Sequence, residues 1–416
     1  MRAIVLAGGY GTRLYPITLR TPKPLLPLAG RPVVLHLIES LAKSGVTEIT
    51  VSLKANQLKI ADSIGDGRRL GCRVSYLYEP GVDEGRKLGS VGALEYVFSK
   101  MESPKQCFVI GADNYFHGLD FKKLRDFHSR KGAHATLALF RLADPALASH
   151  FGIAVTDGED RIREFQEKPA VGSAKSMLAS TAAYYLADDF LCEHIPRYCG
   201  HRRKTGRQAD RIGDLWEHYL SDLRLYGYVF EGTWGDIGNA ENYLETDAAA
   251  LSFERGSSGT KLAPGMAKRR GVVMGRDVEI DASASIRGPV FIGDGCSVGR
   301  NAVIGPNASV LHDTSIGSGA VVSGSVVFER VNVGDDASIE NSVVDGGCRV
   351  GPHARISATT VGFKCAIGGS AELRGSKVFP FRSVAAKAVL DCSTVGSEHE
   401  LSAAERKELE ESLYWL

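Results

Sequence analysis

Apolar residues in the first part of the chain form short runs of the length of a buried strand, separated by stretches with helical spacing. Strand and helix alternate in this way up to about residue 244. This alternation predicts an α/β domain with a mostly parallel sheet that helices cover on both faces. The predicted strands are residues 3–6, 48–52, 73–77, 106–110, 135–141 and 161–165, and the predicted helices are residues 33–42, 91–100 and 121–130.

The pattern changes after a segment rich in glycine and serine. Residues 255–259 read Arg-Gly-Ser-Ser-Gly and Pro264 follows, which predicts a linker at residues 251–270. Beyond it, aliphatic residues recur every six positions, and small residues often stand four positions later. A period this regular predicts a solenoid, because each turn can bury its aliphatic side chains only by stacking on its neighbours. The aliphatic residues are Ile280, Ile286, Ile292, Val298, Ile304, Val310, Ile316 and Val322, and the small ones are Ala284, Cys296, Ala302, Ala308, Thr314 and Ala320.

The period is interrupted towards the C-terminus. It slips near residues 328–332, resumes at Val333, slips again and returns at Val350. We expect a loop to leave the coil at each slip, and we expect the repeat to decay over residues 362–381.

The last segment carries a helix-start signal. Ser402-Ala-Ala-Glu405 is a capping box, and it predicts a short helix in which Leu409 and Leu413 stand four residues apart. We expect this helix to cover the open end of the solenoid.

The composition is that of a globular protein and argues against several classes of partner. The chain has 416 residues, of which 44% are hydrophobic and 24% charged, and its formal net charge is +1. We therefore expect no nucleic-acid partner and no membrane partner, and no apolar run reaches the roughly 18 residues that span a bilayer. The start of the sequence has no signal-peptide organisation, which predicts a cytoplasmic protein. The eight cysteines contain no Cys-x-x-Cys pair, so neither a zinc site nor a disulfide framework is expected.

The segment from Leu6 to Pro27 carries the strongest chemical signal. It reads Leu-Ala-Gly-Gly-Tyr-Gly-Thr-Arg-Leu-Tyr-Pro-Ile-Thr-Leu-Arg-Thr-Pro-Lys-Pro-Leu-Leu-Pro and follows the first predicted strand. Glycines at the end of a strand let backbone N–H groups approach a phosphate, and Arg13 and Lys23 add positive charge. The third glycine of a dinucleotide fingerprint is missing, and so is the Gly-Lys-Ser/Thr of a P-loop. The segment is thus predicted to hold a triphosphate in another way.

This run resembles the signature of the sugar-1-phosphate nucleotidyltransferases, Gly-Gly-x-Gly-Thr-Arg-Leu-x-Pro-x-Thr followed by Pro-Lys-Pro. The six-residue period resembles the hexapeptide repeat of left-handed parallel β-helices. Together they imply an α/β fold with a Rossmann-like, mostly parallel sheet, followed by a left-handed parallel β-helix. The implied domains are a catalytic domain at residues 1–250, the linker, the β-helix at residues 271–395 and a C-terminal capping helix at residues 396–416.

The resemblance also implies the reaction and its components. Members of this family join a nucleoside triphosphate to a hexose-1-phosphate and release pyrophosphate. Because the sugar phosphate itself attacks, such an enzyme needs cations and metal-holding carboxylates but no protein nucleophile. The implied cofactor is Mg²⁺, and the implied assembly is a homo-oligomer formed through the β-helix.

Two aspartates and three cations are the predicted centre of this chemistry. Asp113 ends an apolar strand, as in the family's strand-Gly-Asp element, and Asp236 stands in a segment that resembles the family's Trp-x-Asp-x-Gly motif. These two carboxylates are the predicted Mg²⁺ ligands. Arg13, Lys23 and Lys168 are the predicted catalytic residues, with Lys168 facing the sugar phosphate.

The sugar site is predicted from two further stretches. Residues 165–169 read Phe-Gln-Glu-Lys-Pro and match the family's Glu-Lys-Pro motif. Residues 178–184 read Leu-Ala-Ser-Thr-Ala-Ala-Tyr where many relatives have Asn-Ala-Gly-x-Tyr, and this departure weakens any transfer of sugar specificity. The predicted residues for the sugar phosphate are Gly152, Glu167, Lys168, Ser180, Thr181 and Trp234.

The base is predicted from residues 78–80, Tyr-Glu-Pro, and 88–94, Leu-Gly-Ser-Val-Gly-Ala-Leu, which resemble the family's base-binding stretch. The resemblance implies that Glu79 occupies the base-reading position. A carboxylate only accepts hydrogen bonds, so it suits the N1–H and N2–H donors of guanine and favours GTP. The start of the chain and the β-helix resemble mannose-1-phosphate guanylyltransferases. Asp113-Asn114 is more similar to glucose-1-phosphate thymidylyltransferases, so a dTTP- or UTP-dependent enzyme remains an alternative. The predicted nucleotide-binding residues are Leu6, Ala7, Gly8, Gly9, Gly11, Thr12, Arg13, Glu79, Gly89 and Asp113.

Two other functions stay open. A non-catalytic regulatory subunit that binds a nucleotide sugar would keep the fold but lose the cations or acids, all of which remain here. An acyltransferase activity of the β-helix would need a suitable histidine. His312 and His353 are the only histidines inside the regular repeats, and neither lies in a stretch that resembles an acyl-transfer site.

Overall fold

The structure is a computed structural model that describes residues 1–80, 88–101, 106–205, 211–253 and 271–412. Its contacts divide the chain into two compact units. Unit 1 comprises Met1–Gly9 and Val34–Trp234, and unit 2 comprises Tyr10–Val33 and Gly235–Leu416. Most of the predicted linker and Leu413 lie outside the described residues. In the described ranges, no helix is long and apolar enough to cross a membrane.

Unit 1 contains a mixed sheet of nine strands. The strand β1 pairs in parallel with β2 and β4, and β2 pairs in parallel with β3. The strand β8 runs antiparallel to β4, β5 and β6, while β6 runs antiparallel to β7 and β9 runs parallel to β5. The strands are β1 Arg2–Leu6, β2 Glu48–Lys54, β3 Arg73–Glu79, β4 Cys107–Gly111, β5 Ala135–Arg141, β6 Gly152–Thr156, β7 Ile162–Glu167, β8 Leu178–Leu186 and β9 Leu225–Val229.

The predicted α/β fold is confirmed, and so are the six predicted strands, with ends shifted by at most two residues. The strands β6, β8 and β9 were not predicted, and two of them make the sheet more antiparallel than expected. The turn between β6 and β7 is too short for a crossover helix, so these strands can only pair as an antiparallel hairpin.

The helices of unit 1 begin and end at residues that suit helix termini. Asp120 caps the helix Phe121–Lys131 by accepting hydrogen bonds from the N–H groups of Lys122 and Lys123, and Gly132 ends it in the left-handed region. The three predicted helices are confirmed. The helical segments are Val33–Lys43, Leu58–Ile64, Arg68–Leu70, Gly89–Ser99, Phe121–Lys131, Pro145–His150, Phe190–His194, Ile195–Lys204 and Ile212–Tyr219, and a short strand lies at Asn114–His117.

Unit 2 contains a parallel β-helix, as predicted. The left-handed sense of its coils stays a prediction. Strands of two or three residues stack into three parallel sheets, and the aliphatic residues of the six-residue period form its buried core. The first sheet comprises Val272–Met274, Val290–Ile292, Ala308–Val310, Val326–Val327, Val343–Val344, Thr360–Val361, Lys377–Val378 and Thr394–Val395. The second comprises Glu279–Ile280, Ser297–Val298, Ser315–Ile316, Asn332–Val333, Arg349–Val350, Ala366–Ile367 and Ser383–Val384. The third comprises Ser285–Ile286, Val303–Ile304, Val321–Ser323, Ser338–Glu340, Arg355–Ser357, Glu372–Arg374 and Val389–Asp391.

The slips in the sequence period are a change of coil length. Val290 pairs with Ala308, eighteen residues later, whereas Ser309 pairs with Val326, seventeen residues later. The following coils keep the seventeen-residue spacing through the strand Thr394–Val395. The expected loops and the expected decay over residues 362–381 are therefore wrong. A coil of seventeen residues interrupts the six-residue period in the sequence, but the chain stays in the β-helix.

A ladder of hydroxyl groups stabilises the shorter corner of these coils. Ser325 Oγ donates to Ser323 O at 2.7 Å and accepts the N–H of Ser342 on the next coil at 3.0 Å. The same two bonds recur at Ser342, Thr359 and Ser376. Each hydroxyl thus satisfies backbone groups that the shortened corner buries. Positive φ angles from 44° to 56° turn the chain at the same corner, at Gly324, Asn341, Ala358, Gly375 and Cys392.

The segment Tyr10–Val33 and a long helix pack within unit 2. Tyr243 Oη donates to Pro27 O at 2.8 Å, and the Asp247 carboxylate accepts from Ala29 N–H and Ser309 Oγ, both at 2.7 Å. Burial raises the pKa of Asp247 to about 7. This part of unit 2 comprises the turns Thr12–Leu14, Ile17–Leu19 and Lys23–Leu25, the strands Pro27–Leu28 and Arg31–Pro32, and the helix Ala240–Phe253, with a strand Thr233–Asp236 at the unit boundary.

The predicted C-terminal helix is confirmed at Ala403–Glu411, after a turn at Glu398–Glu400. Ser402 and Glu405 form both hydrogen bonds of the capping box. Leu409 packs in a buried cluster with Phe363 and Leu401. The helix therefore packs against the coil corner that carries Phe363.

The hydroxyl ladder predicts a specific loss of stability. Thr359→Val removes an acceptor and leaves the buried N–H of Ser376 without its partner, so we expect the free energy of unfolding to fall by about 1–3 kcal/mol. The matched control is Ser393→Ala, whose hydroxyl donates to Asp391 O in an exposed position. Thermal unfolding should show a lower Tm for Thr359→Val than for Ser393→Ala, and equal Tm values would contradict the ladder's role.

Candidate active site

Three predicted residues come together within unit 2. Lys23 is buried, and its Nζ lies 3.4 Å from Asp236 Oδ1. A Cβ added at Gly238 would lie 3.3 Å from Asp236 Oδ2 and 3.7 Å from Arg13 Nη2, so Gly238 leaves room for both groups. Arg13 itself is exposed. Unit 2 therefore presents two cations and one carboxylate in one place.

The local sequence explains how this segment bends. Gly11 has a φ of 67°, which favours glycine, and its carbonyl accepts a hydrogen bond from Thr18 Oγ1 at 2.8 Å. A Cβ at Gly11 would lie 3.1 Å from Thr18 and 3.3 Å from Lys23 Cβ. Gly11 therefore lets the turn at Thr12 pack closely against the chain around Lys23.

The end of strand β1 meets Glu79 within unit 1. Leu6 pairs with Gly111 on β4, and Ala7 N–H donates to Ser52 O at 2.9 Å. A Cβ added at Gly8 would lie 2.9 Å from Glu79 Oε1, and Ser52 Oγ donates to the same oxygen at 3.0 Å. Several predicted nucleotide-binding residues therefore lie at one sheet edge, with the Glu79 carboxylate over Gly8.

Two more glycines predicted to bind nucleotide have distinct surroundings. Gly9 is exposed, and a Cβ there would meet nothing within 4 Å. Gly89 has a φ of 67° at the start of the helix Gly89–Ser99, where a glycine relieves backbone strain. Residues 81–87, between Glu79 and this helix, lie outside the described ranges.

Asp113 is oriented by two neighbours that sequence analysis did not assign to that role. Asn114, which is 2% exposed, donates from Nδ2 to Asp113 Oδ1 at 3.0 Å. Trp234 Nε1 in turn donates to Asn114 Oδ1 at 2.9 Å. A Cβ at Gly111 would lie within 3 Å of both the Asn114 amide and the Asp113 carboxylate. Trp234 was predicted to contact the sugar phosphate, and in this structure it holds Asn114.

Glu167 lies in a pocket shaped by glycines. A Cβ at Gly213 would lie 2.1 Å from Glu167 Oε2, and one at Gly152 would lie 3.1 Å from it. Burial raises the pKa of the Glu167 carboxyl, although Lys168 and Arg211 oppose the rise. The next residue, Lys168, is exposed and has a φ of 52° directly before Pro169, a conformation that costs backbone energy. The Glu-Lys-Pro motif thus places a half-buried carboxylate beside an exposed cation.

Ser180 and Thr181 lie in β8 where its pairing with β5 shifts register. Thr181 is fully buried, and its Oγ1 donates to Ala138 O at 3.0 Å. Ser180 Oγ is also buried and has no hydrogen-bond partner among the described residues. Their assignment to the sugar site stays a prediction, and Ser180 has the hydroxyl with unused hydrogen-bonding capacity.

The two predicted metal ligands belong to different units, Asp113 to unit 1 and Asp236 to unit 2. Their joint role stays a prediction. Within the described residues, no group of three or more histidine, cysteine, aspartate or glutamate side chains could hold a metal ion. Two carboxylates suit Mg²⁺, because this ion usually takes its remaining ligands from substrate phosphates and water.

The supporting residues were harder to predict from the sequence than the charged ones. Asn114 and Gly238 stand inside the motifs that were used, so their position beside an aspartate was a usable signal. Ser52 and Gly213 lie far from any motif in the sequence. Only the folded chain brings them to Glu79 and Glu167.

Comparison with known proteins gives two family matches. Residues 2–252 match the family described as Nucleotidyl transferase, and residues 286–395 match the family described as GMPPB C-terminal domain. The first match covers more than half of the chain.

Individual relatives agree with these matches. The chain is 32% identical to a UTP–glucose-1-phosphate uridylyltransferase of Synechocystis sp., over 79% of this chain and 83% of that protein. It is 32% identical to a mannose-1-phosphate guanylyltransferase of Mycobacterium tuberculosis, over 73% of this chain and 82% of that protein. A crystal structure from Bacillus anthracis, described as a glucose-1-phosphate thymidylyltransferase in complex with a sucrose, matches with a TM-score of 0.53. That match has 26% identity and covers 62% of this chain and 98% of the other. The resemblance seen in the glycine-rich segment is confirmed, and the chain belongs to the sugar-1-phosphate nucleotidyltransferase family.

Proposed function

We propose that this protein transfers a guanylyl group from GTP to mannose-1-phosphate and releases pyrophosphate. The observation that carries the nucleotidyl transfer is the grouping of Arg13, Lys23 and Asp236 in unit 2, on the segments that hold the family motifs. The choice of GTP over other nucleoside triphosphates rests on the Glu79 carboxylate beside Gly8. The Mycobacterium tuberculosis relative, a mannose-1-phosphate guanylyltransferase, supports the same substrates.

In this reaction an oxygen of the sugar phosphate attacks the α-phosphorus of the triphosphate. A new phosphoanhydride bond forms, the bond to the β-phosphate breaks, and pyrophosphate carries away the negative charge. Arg13 and Lys23 neutralise charge on the triphosphate and on the leaving pyrophosphate, and Lys168 orients the sugar phosphate. Mg²⁺ held by Asp113 and Asp236 would add further neutralisation of phosphate charge.

Glu79 would read the base by accepting hydrogen bonds. Ser52 donates to Oε1 of its carboxylate, and a carboxylate has further acceptor capacity on both oxygens. Guanine offers two adjacent donors, N1–H and N2–H, which match this acceptor pair. Uracil or thymine offers one N–H between two carbonyl oxygens, which a carboxylate repels.

A second pair of substrates has its own support. The Synechocystis relative is a UTP–glucose-1-phosphate uridylyltransferase and is as similar in identity as the guanylyltransferase. A UTP- or dTTP-dependent glucose-1-phosphate nucleotidyltransferase is therefore the alternative.

Further parts of the proposal concern organisation. We propose that residues 1–250 form the catalytic domain, that residues 271–395 form the β-helix after a linker, and that residues 396–416 cap it. The chain would act with Mg²⁺ in the cytoplasm as a homo-oligomer that assembles through the β-helix. The parts assigned to Mg²⁺ and to the β-helix in assembly rest on the family resemblance.

The decisive experiment for substrate choice is a matrix of nucleoside triphosphates and hexose-1-phosphates. Pyrophosphate release with Mg²⁺ should be fastest for GTP with mannose-1-phosphate. Highest turnover with UTP or dTTP and glucose-1-phosphate would select the alternative. No release in any combination would favour the non-catalytic binding subunit.

Loss of single charges should affect the chemical step. Arg13→Ala and Asp113→Asn each remove a group that contacts phosphate or metal, so we expect kcat/KM to fall by about 100-fold or more. Arg163→Ala is the matched control, because Arg163 is exposed and pairs with Asp157, and neither residue is among the predicted site residues. Activity of Arg13→Ala within about threefold of wild type would contradict its assignment.

Base selection should respond to Glu79. Glu79→Gln replaces one acceptor oxygen by an amide donor, so the ratio of kcat/KM for GTP to that for UTP should fall by about tenfold or more. Glu48→Gln, on the neighbouring strand and paired with Arg2, should leave this ratio unchanged. An unchanged ratio in Glu79→Gln would show that another residue reads the base.

A further inference from the structure

Arg20 lies in the segment from Leu6 to Pro27, which we call the signature segment. It stands three residues before Lys23 and is buried inside unit 2. Its Nη2 donates to Glu329 Oε1 at 2.5 Å, and its Nη1 lies 3.0 Å from Asp345 Oδ1. The side chains of Arg20 and Asp345 have no exposed surface, and that of Glu329 is 5% exposed. The guanidinium also lies 4.6 Å from the centroid of the Phe363 ring. We refer to Arg20, Glu329 and Asp345 as the Arg20 cluster.

The acids of the Arg20 cluster come from two successive coils of the β-helix. Glu329 and Asp345 follow the strands Val326–Val327 and Val343–Val344, which pair in parallel. A Cβ added at Gly346 would lie 2.3 Å from Arg20 Nη1 and 2.6 Å from Glu329 Oε1. The β-helix thus has a cavity shaped for this arginine, and glycine is needed at position 346 to keep it open.

Stability alone does not account for such a cluster. Arg20 Nε and Nη1, Glu329 Oε2 and Asp345 Oδ2 are buried and have no hydrogen-bond partner among the described residues, so Nη1 and Asp345 form an ion pair without a hydrogen bond. Buried ion pairs lose much of their attraction to desolvation, and well-packed apolar residues often replace them without loss of stability. Their best-attested benefit is to fix how two elements align.

The aligned element here has little regular structure of its own. The segment Tyr10–Val33 contains three turns of three residues and a hairpin of two-residue strands, and such short elements depend on tertiary contacts. Leu19, next to Arg20, packs against the cluster of Phe363, Leu401 and Leu409. The contacts of Leu19 and Arg20 therefore anchor the segment between Arg13 and Lys23.

We infer that Arg20 is a positioning residue for the phosphate-binding cations Arg13 and Lys23. Its pairing with Glu329 and Asp345 fixes the segment that carries both cations against the β-helix. This inference rests on the proposed roles of Arg13 and Lys23. It gives the β-helix a part in the framework of the active site, in addition to any part in assembly.

The test compares Arg20→Gln and Glu329→Gln with the control Arg382→Gln in the full chain. Arg382 also makes ion pairs within unit 2, with Glu400 and Glu405, but it has no contact with the signature segment among those described. A purely structural role would reduce the folded fraction, which lowers kcat and leaves KM unchanged. Displacement of the cations should raise KM for the triphosphate and lower kcat/KM by about 10-fold to 100-fold. Arg382→Gln should leave both constants unchanged.

Two further measurements do not depend on turnover. Hydrogen–deuterium exchange of residues 10–33 should become faster in Arg20→Gln and Glu329→Gln, and calorimetry should show weaker binding of inorganic pyrophosphate. The double variant should be no worse than Arg20→Gln alone, because that substitution already removes the pairing with Glu329. If Arg20→Gln does not fold, Glu329→Gln decides, since it keeps an acceptor for the arginine.

The outcomes separate the two proposals. A wild-type protein with neither turnover nor pyrophosphate binding would contradict the proposed function. An active wild type whose folded Arg20→Gln variant keeps its KM, its pyrophosphate affinity and its exchange pattern would overturn the role of Arg20. Faster exchange without any change in KM or pyrophosphate affinity would also overturn it, because the segment would then move without moving the cations.

Discussion

The structure depends on one constraint: the segment that carries Arg13 and Lys23 cannot hold its own shape. Residues 10–33 consist of short turns and a small hairpin, so their order has to come from contacts with larger elements. Within unit 2, Tyr243, Asp247 and the Arg20 cluster supply these contacts. This segment thus gains its rigidity from a helix and a β-helix that follow much later in the sequence.

In unit 1, hydrogen bonds and close packing orient the charged side chains. Asp113 stands at the end of a buried strand, and Asn114 and Trp234 fix its carboxylate through a chain of hydrogen bonds. Glu167 packs against Gly213, where a Cβ would collide with its carboxylate, and lies close to Gly152. The charged groups of unit 1 therefore depend on uncharged neighbours for their orientation, as preorganised sites require.

The charged residues and the fold class could be predicted from the sequence, because family motifs and hydrophobic periods are local signals. The shorter coils could not, since a period of six does not reveal that one corner has lost a residue. Arg20 was also missed, because an arginine between leucine and threonine gives no sign that Glu329 and Asp345 surround it. Its partners lie more than 300 residues away in the sequence. Such pairs become visible only when the coils are stacked.

The hydroxyl ladder restricts how this β-helix can change in length. Each hydroxyl meets the N–H group seventeen residues later, so the ladder continues only if that spacing is kept. Loss or gain of a single residue in one of these coils would break the ladder at that coil, because the hydroxyl would no longer meet the N–H group of the next coil. A whole coil, in contrast, can be added or removed with both neighbours still in register. Length variation in this part of the chain is therefore expected in steps of one whole coil, for deletions as well as for insertions.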